Sequence, residues 1–407
     1  MFQDHRLILK ALTLVLIIAQ EGHLVSASSL QPDKDTLKLK SGDKPNLVME
    51  LEMPTRLFEK IKASRGEDID LDKTILRFKD DTISINDGHL HGQSTLYFER
   101  KSYSIDTEKK IKLCKGCGGL GAFYLVSLSM DKNYYHNRLC FDLLHTLGLF
   151  HLQYSYSEVR INGKSQGIYL ILQRPQDWAL KDIGSPYIVR RGRGDRIVDR
   201  ERFQKDISKD LKKNYHDQFL SIYRFIHEYS GEELYKKLNE KMHLEDYMRW
   251  LAFNYIIKCG DYSDELYFYI DPETKRLRIV PWDYDDIFMI HPHEGIKERN
   301  KRISPSSLIF SSEDKLDVKI ANDPYLYTQY MKHYLTVFEE LSQDRLENVL
   351  IKIYSDLSPL LQSSTILKAL STDGYKTSPK ILRAELNDVY QFFEGQRMAL
   401  NNKNFPK

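Results

Sequence analysis

Three acidic residues follow a predicted apolar strand, 276–280, in the second half of the chain. They are Asp283, Asp285 and Asp286. If the chain stays extended beyond the strand, residues two apart share a face, so the carboxylates of Asp283 and Asp285 point the same way. Two carboxylates on one face repel each other unless a hard cation, an arginine or a proton lies between them. The pattern indicates either a magnesium site or an acidic turn without a ligand.

Two further residues have types suited to phosphoryl transfer. Asp261 lies upstream of the acidic turn, before a second predicted strand, 265–270. Phosphotransferases combine a strand, an acidic turn and a separate aspartate to hold magnesium and position a nucleophile. Lys101 lies in a predicted strand between apolar positions, where a lysine can reach nucleotide phosphates. An ordinary lysine on an edge strand is the alternative.

The composition is that of a folded chain with no strong charge bias. Its 407 residues are 41% hydrophobic and 12% aromatic, enough for a substantial core and for two lobes. The 60 basic and 58 acidic residues give a net charge of +2. This balance gives no reason to expect nucleic acid or an acidic membrane surface as the main partner.

The amino terminus has the layout of a cleavable secretory signal, 1–27. Arg6 and Lys10 precede a short apolar run, 11–19, and small residues precede Ser28. The run is too short to span a bilayer comfortably and no later segment approaches the required length, so no stable membrane insertion is expected. We therefore expect the protein to be secreted, periplasmic or attached to the cell surface.

Four cysteines would then lie in a compartment where disulfides form. Cys114 and Cys117 form a CxxC pair, for which we predict a turn clipped by a local disulfide or a pair of free thiols. Cys140 and Cys259 are a second possible pair. The sequence alone does not decide between these arrangements.

The predicted elements change type along the chain. A polar leader, 28–45, precedes a region of alternating strands, 46–175, that includes a hairpin with Asn162-Gly163 at its tip. The remainder, 176–407, is predicted to be mainly helical and to carry the acidic hairpin. One helix, 133–147, is predicted within the strand region. In the remainder, helices are predicted at 203–214, 216–229, 231–240 and 243–258, with three or four more after Tyr325. A β-rich lobe followed by a helical lobe indicates an α+β architecture.

A basic segment punctuated by glycine lies where the two regions meet. It contains Arg190, Arg191, Arg193 and Arg196. Such a segment can contact phosphates or an acidic substrate. A solvated loop is the alternative interpretation.

Several short motifs also follow one another in a fixed order. They are Gly92-x-Ser94, Lys101-x-Tyr103-x-Ile105, Asp131 with His136-Asn137-Arg138-Leu139, Val159-x-Ile-Asn162-Gly163-x-x-x-Gly167-Ile-Tyr169, Asn254, Asp261, Leu266-Tyr-Phe-Tyr269, Pro281-Trp282-Asp283-Tyr-Asp285 and Arg397. In order and spacing they resemble the CotH kinase family, atypical protein kinases first known from spore-coat assembly. The resemblance covers roughly residues 46 to 400.

The resemblance implies an atypical, two-lobed protein-kinase-like fold that binds ATP with magnesium or manganese. It places Lys101 at the ATP phosphates and Gln173 at the position of the residue that pairs with this lysine. It implies that Asp261 is the catalytic aspartate near the substrate hydroxyl. It also implies that Asp283 and Asp285 ligate the metal ion. The implied reaction is in-line transfer of the γ-phosphoryl group to a hydroxyl of a secreted or envelope protein.

The chain departs from the family pattern at three places. Gln173 stands where a glutamate is usual, and a neutral amide cannot ion-pair with Lys101. Asp264 and Glu265 replace an asparagine pair and add negative charge, and His136 replaces an arginine. These changes keep a second hypothesis open, a weak or inactive kinase that serves as a surface binding or assembly protein. A metal-dependent hydrolase that uses the acidic cluster is the third.

Overall fold

The computed structural model describes residues 37, 39–42 and 47–401. The predicted signal peptide, 1–27, lies outside these residues, as does most of the predicted leader, 28–45. Strands dominate the first part of the described chain and helices the last part, which confirms the α+β prediction. Within the described residues, every helix is too short or too polar to span a bilayer.

Eleven strands and the longer helices are numbered here in chain order. The strands are β1 Val48–Glu52, β2 Ile75–Phe78, β3 Asp81–His91, β4 Ser102–Ile111, β5 Leu120–Val126, β6 Tyr154–Ile161, β7 Lys164–Gln173, β8 Tyr187–Arg191, β9 Val198–Phe203, β10 Leu266–Ile270 and β11 Leu277–Pro281. The helices are α1 Thr55–Ala63, α2 His136–Thr146, α3 Lys209–Glu228, α4 Gly231–Lys241, α5 Leu244–Ile256, α6 Ile296–Arg302, α7 Lys315–Asn322, α8 Pro324–Glu340, α9 Gln343–Leu357, α10 Ser364–Leu370 and α11 Pro379–Asn401.

The described residues form two compact units that interleave along the chain. The first, called the barrel unit, contains residues up to Leu143, then Leu152–Asp177 and the residues from Gln343 onward. The second, called the central unit, contains Leu144–His151 and Trp178–Ser342. The carboxyl-terminal helices α9 to α11 thus group with the strands of the barrel unit. The region predicted as one helical lobe, 176–407, contributes to both units.

Seven strands of the barrel unit close into a barrel in the order β1-β2-β3-β4-β5-β7-β6. The closing pair, β1 with β6, is parallel, and the other neighbours are antiparallel. Alternate side chains point inward and form one apolar core, which includes Met49, Leu51, Leu76, Ile105 and Phe123. The predicted hairpin is confirmed as β6–β7, because Asn162 and Gly163 both take the positive φ that a two-residue turn requires.

The connection between β4 and β5 contains the CxxC pair. Cys114 and Cys117 form a disulfide, which decides the alternative that the sequence left open. Cys140 and Cys259 are buried thiols rather than a second disulfide, and burial raises the pKa of the Cys140 thiol well above its ordinary value.

The central unit is built on an antiparallel sheet in the order β11-β10-β8-β9. Phe268 of β10 packs against Phe219 of α3 at 5.2 Å and against Tyr247 of α5 at 6.1 Å between ring centroids. These aromatic contacts fix the sheet on its two supporting helices, at about 0.5–1.5 kcal/mol for each pair beyond the area that it buries.

The predicted helices 203–214 and 216–229 are wrong in their boundaries. Residues up to Phe203 belong to strand β9, and one helix, α3, runs from Lys209 to Glu228. Asp206 takes a positive φ in the turn between strand and helix, and the Ser208 hydroxyl accepts a hydrogen bond from the Leu211 amide and caps the helix. No helix-breaking residue separates the two predicted halves, so the helix continues through them.

Candidate functional site

The acidic turn begins where strand β11 ends. Leu266 pairs with Pro281 across the β10–β11 hairpin, and the Trp282 amide donates to the Glu265 carbonyl at 3.0 Å. Asp283 then takes a left-handed conformation with φ 39°. The expectation of an extended chain through Asp285 is therefore wrong. The two-residue alternation stops at the strand end, and this turn places Asp283 beside the start of β10.

The turn packs against the segment that follows helix α5. The Gly260 amide donates to the Asp286 carbonyl at 2.8 Å, and the His293 amide donates to the Gly260 carbonyl at 3.0 Å. A side chain at position 260 would collide with the turn, because a Cβ there would lie 2.4 Å from Asp286 Oδ2. Glycine thus permits the close approach that brings Asp261, the next residue, alongside the acidic turn.

Asp261 is held by one arginine and one histidine. Arg193 Nη2 donates to Asp261 Oδ1, and His293 Nδ1 lies 3.5 Å from Asp261 Oδ2. Arg193 also contacts Asp264 at 2.6 Å and lies 4.0 Å from Glu313. Burial acts to lower the pKa of Arg193, but the surrounding carboxylates outweigh it and raise the value. The guanidinium is the common counter-charge of this acidic cluster.

Glu265, which replaces the second asparagine of the family pattern, is paired with a different arginine, Arg190. Arg190 Nη2 lies 2.6 Å from Glu265 Oε2, and its Nε donates to the Asp264 carbonyl at 3.0 Å. Burial raises the pKa of Glu265 to about 8, against the lowering effect of Arg190 and with a further contribution from Asp283. The glutamate therefore keeps its proton more readily than an ordinary carboxyl group.

A buried network anchors strand β8, which carries Arg190 and leads into the turn of Arg193. Arg191 of β8 is fully buried, with Nη1 2.6 Å from the Tyr247 hydroxyl and 3.6 Å from Asp314 Oδ1. Its guanidinium carbon lies 5.4 Å from the centre of the Trp250 ring. The Tyr247 hydroxyl donates to Asp317 Oδ1 at 2.5 Å, and burial raises the pKa of Asp317 to about 7.

The carboxylates of the turn could bind magnesium only together with further oxygen ligands, such as the phosphates of a nucleotide. Among residues 37, 39–42 and 47–401, no group of three or more histidine, cysteine, aspartate or glutamate side chains is arranged to hold a metal. Magnesium in phosphotransferases is bound by one or two carboxylates, and substrate phosphates and waters complete the shell. Asp283 and Asp285 fit that partial donor set, so they could hold a metal that arrives with a nucleotide.

Lys101 and Gln173 belong to the barrel unit. Lys101 is buried, and its Nζ donates to the Ser64 carbonyl at 3.0 Å and to the Leu96 carbonyl at 2.6 Å. Burial and the nearby Arg65 lower the pKa of Lys101. Gln173 Oε1 accepts a hydrogen bond from the backbone N–H of Gln153 at 3.0 Å. These bonds do not join the two side chains.

A cavity of about 540 Å³ lies beside the carbonyls that hold Lys101. It is lined by Gly66, Gly92, Gln93, Ser94, Leu96 and Tyr97. Leu96 is shared between the cavity and the lysine, since its carbonyl accepts from Nζ. The Gly92-x-Ser94 motif and Lys101 thus belong to one local site of the barrel unit.

The sequence did not indicate a role for Arg100, although its side chain forms more polar contacts than that of its neighbour Lys101. It forms a buried ion pair with Asp373, and it donates to the Gln166 carbonyl at 2.8 Å and the Ser127 carbonyl at 2.7 Å. The Tyr134 hydroxyl also donates to Asp373 at 3.0 Å. The residues around Arg100 gave no indication of this partner, because Asp373 lies 273 residues away in the sequence.

Comparison with known proteins supports the motif-based assignment. The family described as "CotH kinase protein" matches residues 89–393. The inner spore coat protein H of Bacillus subtilis (strain 168) is 23% identical over 211 residues, which are 46% of this chain and 54% of that protein. The chain thus matches about half the length of this curated relative.

A solved complex of the toxin–antitoxin proteins HipA and HipB of Shewanella oneidensis MR-1 with operator DNA contains a weakly similar chain. The match covers 71% of this chain and 67% of that one at 10% identity, with a TM-score of 0.24 that is too low to establish a shared fold. The family match, by contrast, extends over most of the described residues and includes the acidic turn, Asp261 and Lys101. The chain belongs to the CotH kinase protein family.

Proposed function

We propose that this chain is a CotH-like kinase that transfers the γ-phosphoryl group of ATP to hydroxyl side chains of secreted or envelope proteins with the help of magnesium or manganese. The observation that carries the proposal is the packing of the Asp261 segment against the acidic turn of Asp283 in a member of this family. The bacterial relative is an inner spore coat protein, which supports an acceptor among proteins that assemble at a surface. A two-lobed kinase-like arrangement and export through the signal 1–27 are parts of the same proposal.

In this proposal the central unit supplies the catalytic base and the metal ligands. Asp261 orients the acceptor hydroxyl and takes its proton as the new bond to phosphorus forms. Asp283 and Asp285 would hold the divalent cation, which when bound neutralises charge on the transferred phosphoryl group. Arg190 and Arg193 limit the negative charge that Asp264 and Glu265 add beside the phosphates.

The barrel unit would bind the nucleotide phosphates. An ammonium group has three N–H donors, and two of those of Lys101 are used by the Ser64 and Leu96 carbonyls. The third remains for a phosphate oxygen, and the lysine is already fixed in place by the other two. Gln173 would contribute a hydrogen bond in place of the ion pair that a glutamate gives.

A second candidate is a binding or assembly protein that has lost transfer activity. The specific observation in its favour is the contact of Arg193 with both Asp261 and Asp264. If this contact persists when ATP is bound, Asp261 Oδ1 stays occupied by the guanidinium instead of facing the acceptor hydroxyl. Such a protein would bind nucleotide and metal without transferring phosphate.

The test is a transfer assay on residues 28–407 with radiolabelled ATP and either magnesium or manganese. The Asp283→Asn variant removes one metal ligand and keeps the side-chain shape. Its matched control is Asp210→Asn, which changes an exposed acid of the same unit on helix α3. We expect label on the protein or on an added acceptor with the wild type and the control, and none with Asp283→Asn.

Three outcomes separate the hypotheses. Transfer that survives in Asp283→Asn and in Asp261→Asn would overturn the assignment of these residues. Binding of ATP without any transfer in the wild type would support the binding protein. Release of free phosphate from ATP or from model esters without an acceptor would support a hydrolase.

A further inference from the structure

A cavity of about 540 Å³ lies in the central unit, and its lining includes Glu313, one of the three carboxylates around Arg193. Its walls come from the turn after β8, the end of helix α3, the end of α6 and helix α7. Its lining includes Asp195, Ile226, Arg302, Glu313, Lys315, Val318 and Lys319. None of them belongs to the motifs that the family resemblance rests on.

Two links connect this cavity with Asp261. Glu313 lines the cavity and lies 4.0 Å from Arg193, whose guanidinium contacts Asp261. Asp195, a second wall residue, is two positions beyond Arg193 in the same turn. The cavity is therefore near enough to Asp261 to receive a side chain a few residues from a hydroxyl bound there, since an extended chain advances about 3.3–3.6 Å per residue.

The acidic and basic side chains that line the cavity differ in whether they have a partner of opposite charge. Asp195 is paired with Lys315 at 3.0 Å. Glu313 lies 4.0 Å from Arg193 and shares this guanidinium with Asp261 and Asp264. Arg302 and Lys319 have no carboxylate partner within the described residues, and Arg302 Nη1 donates only to the Ser312 carbonyl at 3.1 Å. Ile226 and Val318 add apolar surface between the charged groups. The cavity is thus a partly apolar recess with two uncompensated cations.

We propose that this cavity binds an acidic side chain of the acceptor polypeptide, a few residues from the hydroxyl that is phosphorylated. The carboxylate would lie between Arg302 and Lys319, and its methylene groups would contact Ile226 and Val318. The same two cations disfavour lysine or arginine at that position of the acceptor, because like charges brought together raise the binding free energy. The inference names the substrate class of the proposed kinase and in that respect rests on the proposed function.

The first experiment measures binding without catalysis. Three labelled peptides share one sequence around a serine and carry glutamate, glutamine or lysine at the flanking positions. Fluorescence anisotropy with the mature chain, residues 28–407, gives their affinities at low and moderate salt. We expect the glutamate peptide to bind about tenfold more tightly than the lysine peptide, with a difference that shrinks as salt screens the contact.

The variant is the double charge reversal Arg302→Glu with Lys319→Glu. Its matched control is Lys209→Glu with Lys213→Glu, two exposed lysines of helix α3 that do not line the cavity. The single variant Lys319→Glu keeps the Arg302 bond to Ser312 and guards against a folding defect. We expect the double variant to lose the preference for glutamate, the single variant to lose part of it, and the control to keep it.

The outcomes also separate this inference from the proposed function. Loss of the glutamate preference in the variants supports the site even when no phosphoryl transfer is detected, and in that case only the proposed activity fails. Equal binding of the three peptides by the wild type overturns the inference, as does an unchanged preference in the double variant. Loss of ATP binding, rather than peptide binding, in the double variant also overturns it, because the cavity would then hold nucleotide phosphates.

Where transfer is active, kinetics give a further readout. The double variant should raise KM for the glutamate peptide about tenfold and leave KM for ATP unchanged. A fall in kcat alone would contradict a role in binding the acceptor.

Discussion

The buried Asp317 of helix α7 should make the stability of the central unit depend on pH. Burial raises its pKa from the ordinary 3.8 to about 7, although Arg191 and the Tyr247 hydroxyl act to lower it. The folded chain therefore keeps a proton that the unfolded chain releases between about pH 4 and pH 7. The contribution of this group to stability is fully present below about pH 4 and is lost as the pH rises to about 7.

The size of the effect follows from the displacement of the pKa. At about 1.4 kcal/mol per pKa unit, the change from 3.8 to about 7 corresponds to about 4 kcal/mol over the whole window. Between pH 5 and pH 8 the wild type should lose about 3 kcal/mol from this residue alone. Asp317→Asn does not titrate, and its side-chain oxygen still accepts from the Tyr247 hydroxyl. Its free energy of unfolding should therefore fall less over this interval.

Urea unfolding at pH 5, 6, 7 and 8 provides the measurement. Tryptophan fluorescence reports on the correct unit, because Trp178, Trp250 and Trp282 are the three tryptophans of the chain and all lie in the central unit. We expect the difference between wild type and Asp317→Asn to change by about 3 kcal/mol from pH 5 to pH 8. Parallel pH profiles for the two proteins would refute the reasoning. Asp314→Asn serves as a contrast, since it removes a carboxylate that faces buried Arg191 and should destabilise at every pH.

Three further predictions concern other parts of the chain. Asp373→Asn leaves a buried guanidinium without its carboxylate and should destabilise the barrel unit by about 3–5 kcal/mol, measured by circular dichroism during thermal unfolding. Replacement of Cys114 and Cys117 by serine opens a short loop and should cost about 2 kcal/mol, an effect that a reducing agent should reproduce in the wild type but not in the variant. Gly260→Ala places a methyl group against Asp286 and should destabilise by about 1–3 kcal/mol while lowering any transfer activity far more than Gly395→Ala, whose Cβ would meet no atom within 4 Å.

Local patterns predicted much of the secondary structure. Alternation identified β1 and β3, and the Asn162-Gly163 pair identified the β6–β7 hairpin, because two residues with positive φ are needed in that turn. Helical periodicity identified α4, α5 and the helices of the tail. In each case the signal lies within a few neighbouring residues.

The geometry of the site depended on contacts between distant residues. Pairing of Arg193 with Asp261 and of Arg190 with Glu265 joins two strands that are far apart in the sequence, so a basic segment and an acidic segment gave no indication of their register. The bend at Asp283 was missed for a different reason. A left-handed aspartate after an apolar strand has no strong sequence signal, since any non-glycine residue there is uncommon.

The grouping of the carboxyl-terminal helices with the barrel strands has a consequence for biosynthesis. The barrel unit draws on three separate stretches of chain, and Asp373 reaches Arg100 only after the whole central unit has been made. In a nascent chain, the first strands of the barrel unit must therefore exist through most of synthesis without the segment from Gln343 onward, which completes this unit. A stop before residue 343 would leave those strands as a target for chaperones and proteases, whereas the stretch 178–342 is continuous and is complete before the tail appears.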